Sequence, residues 1–468
     1  MRTGPAILKS LTGFIICGFF LAINITTSAD IIYVSTCGND SWSGTDPCCQ
    51  APDGPKATIQ AALDAAADYD TVIIAAGTYT GTGNRDIDAS GRSITIRSAD
   101  PNNLDIVADT IIDCQGTQSN NHRAFLCATE QKTNFTLAGL TIINNYSNGG
   151  VCYSINEFDT GSTVAIDKCV FKYSTGSAVY LMSIYSHNGW EVSVSNCTFQ
   201  NNVAAAGAAI YLWGGALIKN CLFSGNVSTA DSDMAGGGAI FGWNTGAGFL
   251  PVIKNCTFTG NQAVRGGAMA FAKAACVYLW NCILWNDKAT NVGNEAYFSS
   301  FLGPPVCTVE YCDVKGGESG IYISYINWVE GNIDADPCFD LPGYWMDDPC
   351  NPGQEIWMEG DYHLFPFSPC IDVADPSYIP DPCETDIDGQ PRILYDRMDI
   401  GADEVFPIAG DTEPDEDVDL ADLAVFAGHI LSDCDAPLWC DNCDADRSGK
   451  VTIEDFAHFS AHFLKGAQ

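Results

Sequence analysis

Basic residues are scarce in this chain. Lys and Arg number 21 against 58 Asp and Glu, for a formal net charge of −37. A surface of that sign repels phosphate backbones and anionic headgroups, which excludes nucleic acid and acidic membranes as partners. It suits an exported soluble protein and calcium, whereas a polyanionic substrate would need a local basic patch. Long apolar runs are also scarce. The stretch Leu11 to Ile25, broken by Asn24, follows Arg2 and Lys9 and precedes Thr27-Ser28-Ala29. Residues 1–29 are therefore expected to be a secretory signal, with a retained anchor as the alternative. Cys17 lacks a small residue before it, which disfavours a lipoprotein, and no later stretch is apolar enough to span a bilayer.

What is present is a repeat. Seven copies of one pattern stand at Leu137/Leu140/Ile142, Ile166/Cys169/Phe171, Val194/Cys197/Phe199, Ile218/Cys221/Phe223, Ile253/Cys256/Phe258, Leu279/Cys282/Leu284 and Val309/Cys312/Val314. Their central positions are 24 to 35 residues apart, a period that means a stacked architecture. Strand alternation has period two, yet each copy slips phase once, just before its central position. Asn196, Asn220, Asn255 and Asn281 stand at the slip, and Asn tolerates the left-handed region better than most residues. The pattern predicts strand, one-residue corner, strand.

A third strand recurs as Gly176-Ser177-Ala178-Val179-Tyr180-Leu181, Gly207-Ala208-Ala209-Ile210-Tyr211-Leu212, Gly238-Ala239-Ile240-Phe241, Gly267-Ala268-Met269-Ala270 and Gly320-Ile321-Tyr322-Ile323. Three strands per coil predict three parallel sheets around one apolar core. On these residues, over roughly 30–325, the chain resembles secreted right-handed parallel β-helix proteins of the pectate-lyase-like superfamily. The Phe-x-x-Asn pairs (Phe199/Asn202, Phe223/Asn226, Phe258/Asn261) also resemble bacterial polymorphic surface-protein repeats, and Gly77 to Asp88 the opening coils of exported β-helix proteins in Planctomycetes-type bacteria. The fold class is all-β with a small α-helical C-terminal domain.

Around the coils the chain divides further. Residues 58–67 predict an amphipathic helix, Thr58 as N-cap, covering the open apolar end before a first coil that starts at Asp70. Residues 326–404 resemble the closing segment of such β-helices and are expected to cap the other end; 405–409 form a linker. Of 22 cysteines, 21 remain after signal removal, so at least one thiol is unpaired. The six central cysteines should stack inside the coil, as small hydrophobes or as disulfides along the stack. Cys338, Cys350, Cys370 and Cys383 are the better disulfide candidates.

Residues 410–468 hold two matching acidic segments. Asp411, Glu413, Asp415 and Asp417 lead to Asp422; Asp444, Asp446, Ser448 and Lys450, the last through its carbonyl, lead to Asp455. Oxygen donors at that spacing are what Ca2+ requires. Asp at the last position, in duplicated loops each followed by one helix, resembles dockerin type I modules, which implies a cohesin-like partner. Glu416 stands where the second loop has Gly449, which puts the first loop's affinity in doubt. His458 and His462, four apart, form a zinc-like pair without an evident third ligand.

Catalytic residues are not legible. The polygalacturonase signatures are absent, and the outward positions of the Gly/Ala-led strands carry no base or acid pair. His187, Asp231, Asp233, Arg265, Lys273, Asp287 and Glu295 are loop candidates without a motif; Lys168, Lys219 and Lys254 read as a solvated row. The outward aromatics Tyr180, Tyr211, Trp213, Phe241 and Trp243 predict two ladders on one face, either exposed to stack on sugar rings or covered by a loop or the tail. Two functions follow: a secreted lyase or hydrolase of polysaccharide tethered through its dockerin-like module, or a non-catalytic surface or adhesin-like binding protein.

Overall fold

The computed structural model describes residues 29–468 except 130–132, 148, 156–161, 184–191, 244–249, 274, 302, 350–354, 366–367, 383, 394–396, 406–417, 419, 435–439, 441–442, 444–448 and 463–468. The chain winds a parallel β-helix. One sheet stacks eleven strands from Ile31–Val34 to Ile326–Trp328, a second nine from Gly77–Tyr79 to Asp313–Val314, and a third nine from Ile87–Asp88 to Ile321–Tyr322. Successive coils pair in parallel, as in Val164↔Val192, Phe171↔Phe199 and Val179↔Ile210. A short fourth sheet, Val203–Ala204, Val227–Ser228, Gln262–Arg265 and Lys288–Val292, precedes the third in the later coils.

The phase slip is a corner. Asn196, Asn220, Asn255 and Asn281 have φ of 51° to 52°, and Lys168 and Tyr311 take the same conformation. Both sides of the corner then point inward, so the residue after it is buried. Cys169, Cys197, Cys221, Cys256, Cys282 and Cys312 form that row, fully buried, with free thiols. Next to it Phe171, Phe199, Phe223 and Phe258 stack face to face at 4.9, 5.0 and 4.5 Å. The Asn of each Phe-x-x-Asn pair closes the next corner: the Nδ2 groups of Asn202 and Asn226 donate to the Oδ1 atoms of Asn226 and Asn261 at 2.9 Å. One continuous apolar core runs from Ile32 to Ile321.

At the N-terminal end the helix Ile59–Ala65 buries Ile59, Ala62 and Leu63, and Thr58 accepts from the Ala61 amide. The coil begins earlier than Asp70: Ile31–Val34 pairs with Thr71–Ile74.

The closing segment departs from expectation. Residues 326–336 continue the last coil, with Ile326–Trp328 on the first sheet and Ile333 bridged to Asp313. The chain then turns back and lies along the outer face of the second sheet instead of capping the end. Trp345, Trp357, Tyr362 and Ile400 build a second apolar cluster against Leu222, Ile283 and Trp285. Ser224 donates to Glu359 at 2.8 Å, and the Thr257 hydroxyl accepts from the Ala402 amide at 3.0 Å. Two supposedly solvated lysines are covered: Lys219 pairs with Glu384 at 3.6 Å, and Lys254 reaches the Tyr378 hydroxyl at 2.6 Å. The cause is the side chain of the corner itself, which faces out and offers polar partners to a strap. Cys338 and Cys370 are free thiols, Cys370 donating to Asp313, so neither forms the expected disulfide. Cys350 and Cys383 lie outside the described residues. Among the described residues the disulfides are Cys37–Cys49 and Cys434–Cys440.

By itself, the C-terminal part has helices Leu420–His429 and Ile453–His462 around Val418, Phe426, Val451 and Phe459.

Candidate functional site

The outer face of the third sheet carries aligned side chains, because strict parallel register repeats each outward position one coil further on. Leu126, Cys152, Tyr180, Tyr211, Phe241, Ala270, Tyr297 and Tyr322 are consecutive partners in one row. Tyr180 and Tyr211 stack at 4.9 Å with a 14° angle, and Tyr297 and Tyr322 at 5.5 Å with 17°. Two positions along, Trp213 pairs with Trp243 in register, ring centroids 6.2 Å apart.

The row is less open than the sequence suggests. Phe241 is only 1% exposed, and Ala270 and Tyr297 are buried with it. Ala206, Tyr211, Trp243 and Val292 close around the Phe241 ring, forming a small outer core. Phe241 therefore supports the face and does not present a ring to a ligand. Tyr180, Tyr211, Trp213 and Trp243 are half-buried, and Tyr322 is exposed.

Three loop candidates meet beside this core. Arg265, at the end of Gln262–Arg265, pairs with Asp231 and lies 3.3 Å from Asp233, whose carboxylate is also 3.5 Å from the Tyr297 hydroxyl. Asp231, then Asp233, hold the guanidinium in its charged form. A group so held cannot serve as a base; the cluster ties the loop of Asp231 and Asp233 to Arg265 and Tyr297. His187 lies outside the described residues. Lys273 sits in the turn after Met269–Ala272 with φ of 65°.

Asp287 and Glu295 come together as a buried carboxyl pair. They are 5% and 1% exposed and line a cavity of about 310 Å³ with Asn286 and Lys315. Asp287 Oδ1 accepts from both the amide and the Nδ2 of Asn261, each at 2.7 Å. Burial pushes Asp287 up to about 7 and, reinforced by Asp287, drives Glu295 well above the ordinary carboxyl range. The charge of Asp287 thus favours the protonated form of Glu295, as expected of two carboxyls buried in one site.

One group escaped sequence reasoning. Asp86, His122, Arg123 and Tyr146 line a cavity of about 680 Å³ at the turns that enter the third sheet. His122 Nδ1 is 2.5 Å from Asp86 Oδ2, and the Arg123 amide donates to Asp86 Oδ1 at 3.0 Å. The His122 Nε2 is enclosed with no partner among the described residues. Arg123 lies by Cys152, next to Tyr180 in the row, where its charge opposes the upward push of burial on the thiol. The signal was positional. Asp86 and Arg123 stand one and two residues before third-sheet strands, where no repeated motif marks them.

Of the expected calcium ligands, Asp411, Glu413, Asp415, Asp417, Asp444, Asp446 and Ser448 lie outside the described residues. Asp422 and Asp455 are fully buried beside the first turns of the two helices, and Asp455 accepts from the Thr452 amide at 2.7 Å. Lys450 turns its ammonium to Asp433 at 3.2 Å.

No family model and no curated protein matches the chain. Among solved structures it is similar to the pectate lyase Pel9A, at 14% identity and a TM-score of 0.37, over 81% of this chain and 97% of that one. It is also similar to the PL6 family alginate lyase AlyGC, at 14% identity and a TM-score of 0.25, over 70% of this chain and 59% of that one. At these values the likeness carries no information about activity.

Proposed function

We propose that this chain is an exported carbohydrate-active β-helix protein that binds polysaccharide along its third sheet. It is tethered through a calcium-dependent, dockerin-like C-terminal module to a cohesin-like partner. The observation that carries the reading is the register-aligned aromatic row. Tyr180, Tyr211, Trp213 and Trp243 offer half-open rings at strand spacing on one face. Aromatic faces stack on the apolar faces of sugar rings, and a linear array suits a linear polymer. In the tail, duplicated acidic loops ending at the buried Asp422 and Asp455 support the calcium reading.

A second reading, β-elimination of a uronate-containing chain, is favoured by one observation: Asp86, His122 and Arg123 share a cavity at the end of the row. Asp86 would hold the imidazole by Nδ1. His122 Nε2, once substrate entry uncovers it, would take the proton α to the uronate carboxylate, the electron pair would form the double bond, and the adjacent C–O bond would break, its oxygen taking a proton from water. Arg123 would carry the charge that develops on the carboxylate.

Affinity electrophoresis on a panel of neutral and acidic polysaccharides, with reducing-sugar release and the ultraviolet absorbance of a new double bond, separates the readings. Retardation alone supports binding. Absorbance that His122→Ala abolishes without loss of retardation supports elimination. Retardation on no polysaccharide overturns both.

A further inference from the structure

The strap along the second sheet contains a constellation that neither the glycan face nor the calcium loops use. His363, Asp388 and Asp403 come from three separate stretches of it, and one ligand atom from each lies within 4.8 Å of the others. His363 Nε2 is 3.1 Å from Asp388 Oδ2. Its other nitrogen is engaged by Asp361, whose carboxylate also accepts the His363 amide at 3.2 Å. Asp403 is 6% exposed; one oxygen accepts from the Leu364 amide at 3.1 Å, and the other is enclosed with no partner among the described residues. These side chains line a cavity of about 490 Å³, with Thr198, Leu222 and Thr257 of the second sheet on its far side.

Three carboxylates thus face one imidazole. The guanidinium nearest to them, that of Arg392, donates to the backbone carbonyls of Asp399, Gly401 and Ala402 instead. Asp388 is fixed from behind, its amide donating to Asp386 at 3.0 Å. Asp403 thus brings a buried carboxylate, one oxygen of which lacks a donor, within 4.8 Å of the imidazole and of Asp388, and a cation between the three would satisfy it. We infer that the strap binds one divalent transition-metal ion through His363 Nε2, Asp388 and Asp403, with Asp361 as the positioning residue for the imidazole.

The donor set selects the metal. Calcium takes six to eight oxygens, whereas one imidazole and two carboxylates suit Zn²⁺ or Mn²⁺ with positions left over for water or a ligand in the cavity. A carboxylate on the far ring nitrogen is the usual partner of a metal-bound histidine. The ion would tie Asp361–Leu364 to the loops holding Asp388 and Asp403, and so hold the strap's fold.

The test uses the full chain, stripped with chelator and returned to excess Ca²⁺ so that the tail is occupied. Zn²⁺ and Mn²⁺ are then titrated calorimetrically, and bound metal is counted after dialysis. The wild type is expected to retain one equivalent of one of these ions. His363→Gln and Asp403→Asn are expected to lose it, and Asp361→Asn to weaken it about 10- to 100-fold. His458→Gln/His462→Gln, which removes the zinc-like pair of the last helix, is expected to keep it. His363 is half-exposed, so His363→Gln should fold, and circular dichroism checks that it does. No retained metal in the wild type overturns the inference. So does metal that survives His363→Gln, or that leaves with the His458/His462 pair.

Discussion

Asp287 shows how one residue departs from a repeat and gains a property. The Asn ladder through Asn202, Asn226 and Asn261 ends on it, and it accepts both bonds with one oxygen while the other faces Glu295. The substitution is legible in the sequence, since Leu284-x-x-Asp287 stands where earlier coils have Phe-x-x-Asn. Its consequence is not, because Glu295 reaches it only through the turn of the coil. The folded state keeps a proton that the unfolded chain releases, so the pair's contribution to stability is whole below about 3.8 and falls as the pH rises through about 7. Asp287→Asn would extend the ladder and donate to Glu295. It is expected to stabilise by about 1–2 kcal/mol at pH 8 and to flatten the pH dependence of the melting temperature between those values. An unchanged slope would mean that the folded state holds no proton at this pair. Phe241 makes the opposite point: alternation placed it on the outer face, and only the tertiary packing buries it. Phe241→Ala is expected to cost about 3–5 kcal/mol by urea denaturation, the behaviour of a core ring.

At the scale of elements, the coils were legible and the strap was not. Each coil writes the same in–out pattern with the same corner, so seven weak signals add. The strap's contacts occur once each, across more than a hundred residues, as in Lys254 to Tyr378 and Asn220 to Thr385. The strand Ile31–Val34 was missed for a related reason: a helix, not a further strand of the repeat, separates it from its partner Thr71–Ile74. Trp357 anchors the strap. It packs over Gly225 and Gly260, where an added Cβ would stand 2.3 and 2.1 Å from its ring. Both glycines have positive φ, so a side chain there is disfavoured twice. Trp357→Ala is expected to cost about 3–5 kcal/mol and to open residues 337–404 to limited proteolysis while the coils stay intact. Cleavage spread evenly through the coils would show instead that strap and helix unfold as one unit.

At the scale of the molecule, the scarcity of basic residues frames the function. A net charge of −37 keeps the chain off polyanions except where a cation intervenes, and Arg123 brings a guanidinium to the aromatic row beside Cys152. The acidic tail is expected to take up two Ca²⁺ in calorimetry of the full chain, and Asp444→Ala/Asp446→Ala to leave one; no uptake would remove the dockerin-like reading. The candidate site was half legible: register placed the aromatics, but no sequence period links Asp86 to His122. The central claim is that the third sheet holds a polysaccharide, and the measurement closest to it is affinity electrophoresis of Trp213→Ala/Trp243→Ala beside the wild type. Each ring contributes about 1 kcal/mol of contact, so the double variant is expected to bind roughly tenfold or more weakly while its fold is kept. Equal retardation of the two proteins would contradict the account and make the aromatic row a structural feature alone.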